Sequence, residues 1–125
     1  MKILVVDDSP AMRSLLRQMI KKMGHSVTEA VNGKEALEQL NVHPDIGLIL
    51  LDWNMPEMDG MELLDALAAP VKRLNKRPRI IIVSTECEAE KIVQAMERGA
   101  DEYIMKPFTQ EILEEKLSIL GIARD

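Results

Sequence analysis

Leu48-Ile49-Leu50-Leu51-Asp52-Trp53-Asn54-Met55-Pro56-Glu57-Met58-Asp59-Gly60 is the stretch that decides the fold. Its opening run of large aliphatic residues predicts a strand that is buried on both faces, and the turn-forming residues after Asp52 end that strand. Strands buried on both faces are typical of parallel sheets, in which ligands bind at the carboxyl ends of the strands. Asp52 is therefore predicted to lie at the end of the sheet where chemistry takes place.

The length and composition of the chain predict one domain over residues 1–125. A chain of 125 residues can bury a hydrophobic core without disulfides or metal staples. The net charge of -5, from 21 acidic and 16 basic residues, and the single Trp, Tyr and Phe argue against direct binding of nucleic acid. No apolar run is long enough to span a membrane or to form a signal peptide, so we expect a soluble, cytoplasmic protein.

Apolar runs alternate with helical repeats along the rest of the chain. The predicted strands cover residues 3–6, 27–31, 46–51, 80–83 and 103–105. The predicted helices lie between Ser9 and Gly24, between Gly33 and His43, over 60–68 and 88–98, and between Thr109 and Gly121. This alternation, with right-handed crossovers, predicts an α/β fold. We expect a flavodoxin-like (βα)5 doubly wound parallel sheet with strand order 2-1-3-4-5, in which the weak second strand lies at an edge.

Polar residues follow the predicted strands at their carboxyl ends. Asp7 and Asp8 follow the first strand, Asp52 the third, Ser84 the fourth and Lys106 the fifth. Each residue alone has an ordinary explanation as a turn former or a solvated side chain. Because parallel strands end on the same side of the sheet, we expect these side chains to lie together.

Three clustered carboxylates repel one another unless a cation or a proton intervenes. Mg²⁺ prefers oxygen ligands, and it commonly takes one or two carboxylates plus a phosphate oxygen. The sequence therefore predicts a Mg²⁺ site at Asp7, Asp8 and Asp52, beside Lys106 and Ser84, which suits phosphoryl transfer. A carboxylate can accept the phosphoryl group, and Asp52, the central one, is the better candidate.

Over essentially its whole length the chain resembles the response regulator receiver domains of two-component signalling, and most closely their stand-alone chemotaxis members. The matching segments are Val5-Val6-Asp7-Asp8, Asp52-Trp53-Asn54-Met55-Pro56 with Met58-Asp59-Gly60, Val83-Ser84, Gly99-Ala100-Asp101 with Tyr103, and Lys106-Pro107-Phe108. The resemblance implies that Asp52 takes a phosphoryl group from a phosphohistidine on a histidine kinase or histidine phosphotransfer protein. It also implies that Mg²⁺, or Mn²⁺ in its place, is held by Asp7, Asp8, Asp52 and the main-chain carbonyl of Asn54.

The resemblance further implies a monomeric signalling switch rather than a classical enzyme. Ser84 and Lys106 match the residues that sense the phosphoryl group. In the family the hydroxyl residue is drawn toward the phosphoryl group, and the aromatic residue at Tyr103 is then expected to turn inward behind it. The output face is then formed by the last two predicted helices and the strand between them, including Tyr103 and Lys116. Its implied partner is an output protein such as a flagellar motor switch protein. The Lys106-Pro107 peptide is expected to be cis.

Other functions remain open on the sequence alone. The same phosphochemistry would serve a phosphate sink, a phosphorelay intermediate or the regulator of another protein. An aspartate-nucleophile phosphatase of the haloacid dehalogenase type also uses Mg²⁺ and a carboxylate, but its acidic pair is separated by one residue, whereas Asp7 and Asp8 are adjacent. The basic cluster between Lys72 and Arg79 is predicted to be a solvated loop at the opposite end of the sheet from Asp52. His25 and His43 are expected at the surface.

Overall fold

Five parallel strands form the centre of the molecule. The computed structural model describes residues 1–52, 78–85 and 89–122. The strands are β1 (Lys2–Val6), β2 (Ser26–Ala30), β3 (Ile46–Asp52), β4 (Arg79–Ser84) and β5 (Glu102–Met105). Their order in the sheet is β2-β1-β3-β4-β5, and every neighbouring pair is parallel. The predicted α/β fold and strand order are confirmed, including the position of β2 at an edge.

The described residues contain four helices. They are α1 (Pro10–Lys22), α2 (Gly33–Val42), α3 (Ala89–Glu97) and α4 (Gln110–Ile119). Ser9, Asn32 and Thr109 cap α1, α2 and α4, because each side-chain oxygen accepts a hydrogen bond from a main-chain N–H three residues on. The helix predicted over residues 60–68 lies outside the described residues. Among the described residues, no helix has both the length and the apolar character needed to cross a membrane.

Two apolar layers cover the two faces of the sheet. Because side chains alternate between the faces of a strand, Val6, Leu51 and Ile82 point to one face and Val5, Leu50 and Val83 to the other. The first face packs against buried residues of α2 and α3, and the second against buried residues of α1 and α4. Burial on both faces explains why β1, β3 and β4 are almost uninterrupted apolar runs.

His25 departs from the prediction, because it is buried rather than exposed. It follows Gly24, which has a φ of 86° and ends the turn after α1. The main-chain N–H of Ser26 then donates to the carbonyl of Met1 at 3.1 Å, which joins the start of β2 to the start of the chain. The His25 ring is thereby enclosed, with Nδ1 3.1 Å from the amino-terminal nitrogen of Met1.

The amino ends of the strands lie at the opposite end of the sheet from Asp52. Arg79 is the first residue of β4 and is exposed, as predicted for that member of the basic cluster. The rest of the cluster, residues 72–77, lies outside the described residues. His43 is half-buried, with its Nδ1 3.2 Å from the Nζ of Lys2.

Candidate functional site

The strand register brings the polar strand ends together. Val6 is level with Leu51 in the sheet, so Asp7 and Asp52 both come directly after this level. Asp52 is level with Val83, and Ser84 is level with Met105. Asp52 and Ser84 are thus the last residues of their strands and Asp7 directly follows its strand, so the three lie at the same end of the sheet. This alignment follows from the parallel strand order, which the apolar patterning of the sequence had indicated.

Three carboxylates form the centre of the site. One oxygen from each of Asp7, Asp8 and Asp52 lies within 4.8 Å of the others. Asp7 is only 2% exposed and Asp52 8% exposed, whereas Asp8 is exposed to solvent. Burying like charges at this spacing costs free energy unless a positive charge compensates them.

Lys106 supplies the positive charge next to the two buried carboxylates. Its Nζ lies 3.1 Å from Oδ2 of Asp7 and 3.5 Å from Oδ1 of Asp52. The main-chain N–H of Lys106 donates to the Ser84 carbonyl at 2.8 Å, which fixes the end of β5 beside the end of β4. The Lys106-Pro107 peptide is cis, as expected. One ammonium against three carboxylates still leaves the cluster negative, so the site favours a further cation.

The carboxylate cluster fits a hard divalent ion. Mg²⁺ binds oxygen ligands at short range and usually keeps several waters, so it needs few protein ligands. Three carboxylates within 4.8 Å, one of them open to solvent, offer that donor set and an entry route. Asn54, whose main-chain carbonyl is the remaining expected ligand, lies outside the described residues.

Asp7 is held by hydrogen bonds to its main chain and to its side chain. Its main-chain N–H donates to the Ala30 carbonyl of β2 at 3.1 Å, and its Oδ1 accepts from the Ser9 N–H at 2.9 Å. Its main-chain carbonyl accepts from Nη1 of Arg13 at 2.7 Å. The sequence interpretation did not include Arg13. The sequence offered one signal for Arg13, which is a basic residue one turn into the helix that follows the acidic end of β1.

The residues predicted to carry the switch lie on β4, β5 and α4. Ser84 is buried as the last residue of β4, and Tyr103 is 9% exposed and packs in the apolar layer that contains Ile82. Nζ of Lys116 lies 3.3 Å from Oε1 of Glu102, and the same oxygen accepts from the Tyr103 N–H at 2.9 Å. Lys116 is therefore paired across β5 and α4 rather than extended into solvent.

The elements α3, β5 and α4 carry several large apolar side chains on the surface. The exposed residues are Val93, Met96, Met105, Ile112 and Ile119. Single exposed apolar residues are ordinary. These five lie on the three consecutive elements that were predicted from the sequence to form the output face.

Comparisons with known proteins agree with this geometry. The chain matches the family model for the response regulator receiver domain over residues 3–118. It is 42% identical to the chemotaxis protein CheY homolog of Campylobacter jejuni over 123 residues, which are 97% of this chain and 93% of that protein. It is 40% identical to chemotaxis protein CheY1 of Helicobacter pylori over 121 residues, 96% of either chain. The structure of Vibrio cholerae chemotaxis protein CheY4 superposes with a TM-score of 0.84 at 31% identity, covering 94% of this chain and 96% of that one.

Proposed function

The chain belongs to the response regulator receiver family, and on that premise we propose that Asp52 accepts a phosphoryl group from a phosphohistidine. The donor is a histidine kinase or a histidine phosphotransfer protein. The observation that carries the proposal is the placement of Lys106, whose Nζ lies within 3.5 Å of both Asp7 and Asp52. An acceptor carboxylate, an acidic pair and an ammonium group within one small site are the parts that phosphoryl transfer to a carboxylate requires.

The transfer forms one bond and breaks one. An oxygen of Asp52 bonds to phosphorus while the P–N bond to the donor imidazole breaks, and the electron pair of that bond stays on the imidazole nitrogen, which takes a proton from solvent. The Lys106 ammonium stabilises the charge on the phosphoryl oxygens. Mg²⁺ or Mn²⁺ bound by Asp7, Asp8, Asp52 and the Asn54 carbonyl would supply further neutralisation of that charge.

Phosphorylation then changes the output face. An added phosphoryl group offers new oxygen acceptors to the Ser84 hydroxyl and to Lys106, and it draws Lys106 away from its present contacts with Asp7 and Asp52. Tyr103 lies on β5 beside β4, level with Ile82, and its main-chain N–H and the Lys116 ammonium both contact Oε1 of Glu102. The apolar residues on α3, β5 and α4 suit a protein partner, such as a flagellar motor switch protein. Receiver domains are signalling switches rather than classical enzymes, and the relatives named above are chemotaxis proteins.

The other functions that the sequence left open receive less support. Family membership and the adjacent Asp7 and Asp8 argue against a phosphatase of the haloacid dehalogenase type. A phosphate sink or a phosphorelay intermediate would use the same acceptor chemistry without an output protein. The similarity to chemotaxis proteins over nearly the whole chain favours an output protein, and we expect a cytoplasmic monomer to bind it.

Mass spectrometry of the chain after incubation with Mg²⁺ and a phosphodonor tests the proposal. The wild type is expected to gain the mass of one phosphoryl group, and Asp52→Asn is expected to gain none. Asp45→Asn is the matched control, because it removes the same charge from the opposite end of β3, where the Asp45 carboxylate is exposed and pairs with Lys2 at 3.3 Å. Equal labelling of wild type and Asp52→Asn would refute the assignment of the acceptor.

A further inference from the structure

Arg13 joins the carboxylate cluster to the edge of the sheet. Its Nη1 donates to the main-chain carbonyl of Asp7 at 2.7 Å, while its Nε lies 3.4 Å from Oε1 of Glu29 on β2. Its side chain is 16% exposed. Charge-assisted hydrogen bonds of this length are among the stronger polar contacts in proteins. Arg13 therefore bridges the end of β1 and the neighbouring strand from a position on α1.

The Asp7 carbonyl needs a donor at this point in the fold. In a parallel ladder, the N–H and the C=O of one residue bond to the same neighbouring strand. The Asp7 N–H finds the carbonyl of Ala30, but Ala30 is the last residue of β2. Arg13 donates to the Asp7 carbonyl beyond the end of that ladder, so a main-chain group at the buried strand end is satisfied.

Glu29 holds the Arg13 guanidinium in place and is itself held by a second arginine. Nη1 of Arg17, one turn further along α1, lies 2.8 Å from Oε2 of Glu29. The Arg17 side chain is 40% exposed, and the contacts described for it go to Glu29 and to the Ser14 hydroxyl at 3.4 Å. The two arginines thus share one carboxylate, but it is Arg13 that bonds to the main chain between Asp7 and Asp8.

We infer that Arg13 is a positioning residue for the cation site, because its hydrogen bond fixes the peptide unit that joins the Asp7 and Asp8 carboxylates. The inference rests on the proposed Mg²⁺ site. With that peptide held by Arg13, and with the Asp7 carboxylate held by Ser9 and Lys106, the acidic pair is preorganised to receive the ion. Glu29, on the edge strand, supports the same geometry from outside the site.

A positioning role and a purely electrostatic role of Arg13 predict opposite changes in Mg²⁺ affinity when Arg13 is replaced. The guanidinium is a positive charge near the cluster, so its removal alone would strengthen binding of a cation. Loss of a group that orients metal ligands instead weakens binding, typically by tenfold or more. The direction of the change in Mg²⁺ affinity therefore separates the two roles.

Calorimetric titration of the unphosphorylated chain with Mg²⁺ tests the inference through the pair Arg13→Met and Arg17→Met. Methionine keeps most of the side-chain length and helix propensity of arginine and removes the same charge at either position. We expect Arg13→Met to raise the Kd for Mg²⁺ about tenfold, whereas Arg17→Met should change it by less than about twofold, because Arg17 does not touch Asp7. Arg13→Lys, which restores a donor and the charge, is expected to fall between wild type and Arg13→Met.

Urea unfolding of every variant without Mg²⁺ shows that the compared proteins are folded. A folded Arg13→Met that binds Mg²⁺ as tightly as the wild type, or more tightly, would overturn the inference. Should Arg13→Met not fold, Glu29→Met is the second test, because it removes the carboxylate that holds the Arg13 guanidinium and leaves no oxygen acceptor in its place. An unchanged Kd for Mg²⁺ in Glu29→Met would also overturn the inference. If the wild type binds no Mg²⁺, the proposed metal site itself is wrong. That outcome can be distinguished from one in which the wild type and Arg13→Met bind Mg²⁺ equally well.

Discussion

Lys106 has two competing uses in the site. Without an added cation it compensates the buried carboxylates of Asp7 and Asp52, but it occupies oxygens that a metal ion would also use. The same ammonium is the group proposed to meet the phosphoryl oxygens. A lysine suits this exchange of partners, because its compact charge on a flexible stem is not bound to one planar geometry as a guanidinium is.

Lys106→Met separates these uses. We expect the free energy of unfolding without Mg²⁺ to fall by about 1–3 kcal/mol, because two buried carboxylates lose their partner. The Kd for Mg²⁺ should decrease, because the ion no longer competes with an ammonium. Urea denaturation and Mg²⁺ titration measure the two effects, with Lys21→Met as a control that removes an exposed charge at the far end of α1. An unchanged Kd would show that the lysine does not compete with the ion.

At the level of elements, α1 begins at a residue that also contacts the site. The Ser9 hydroxyl accepts from the Met12 N–H at 3.2 Å and caps the helix, while the Ser9 main-chain N–H donates to Oδ1 of Asp7. The cap and the site contact use different atoms of one residue. They can therefore be separated by a substitution that changes only the side chain.

Ser9→Ala is expected to lower the free energy of unfolding by about 1 kcal/mol, the usual cost of a lost helix cap. Its Mg²⁺ affinity should stay close to that of the wild type, because alanine keeps the N–H that holds Asp7. Thr109→Ala, which removes the corresponding cap of α4, serves as the control for stability, and both measurements can be made by urea denaturation with and without Mg²⁺. Loss of Mg²⁺ affinity in Ser9→Ala alone would mean that the hydroxyl, and not the main chain, orients Asp7.

The elements also show which features the sequence could predict. The buried strands β1, β3 and β4 and the capped helices were predictable, because period and capping are local signals. Asp7, Asp52 and Lys106 could be placed together because the strand order follows from alternation. The enclosure of His25 and the pairing of Lys116 with Glu102 could not be predicted, because they depend on side chains that meet only after the helices pack on the sheet.

On the scale of the whole molecule, we expect binding of the proposed cation to stabilise the fold. The carboxylates come from two strands that are adjacent in the sheet but far apart in the chain, so the unfolded chain has no comparable site. A ligand that binds only the folded state stabilises it by mass action. The metal site is therefore open to a test that needs no phosphodonor and no partner.

Mg²⁺ at one hundred times its Kd is expected to raise the free energy of unfolding by about 2.7 kcal/mol. Chelation of the ion should reverse the gain, and Asp52→Asn should reduce it, whereas the exposed Asp45→Asn should keep it. Thermal or urea unfolding followed by circular dichroism measures each case. An equal gain in Asp52→Asn and wild type would place the ion away from the carboxylate cluster.

The contact between Lys106 and Asp7 spans 99 residues of the chain, and that between Lys106 and Asp52 spans 54. During synthesis the ribosome therefore releases the acidic residues long before the lysine that compensates them. A nascent chain that ends before β5 carries the acidic residues of the site without Lys106, the ammonium group proposed to meet the phosphoryl oxygens. We therefore expect the proposed phosphoryl-accepting site to be complete only after Lys106 has been synthesised, so a translation product that ends before β5 should not be phosphorylated.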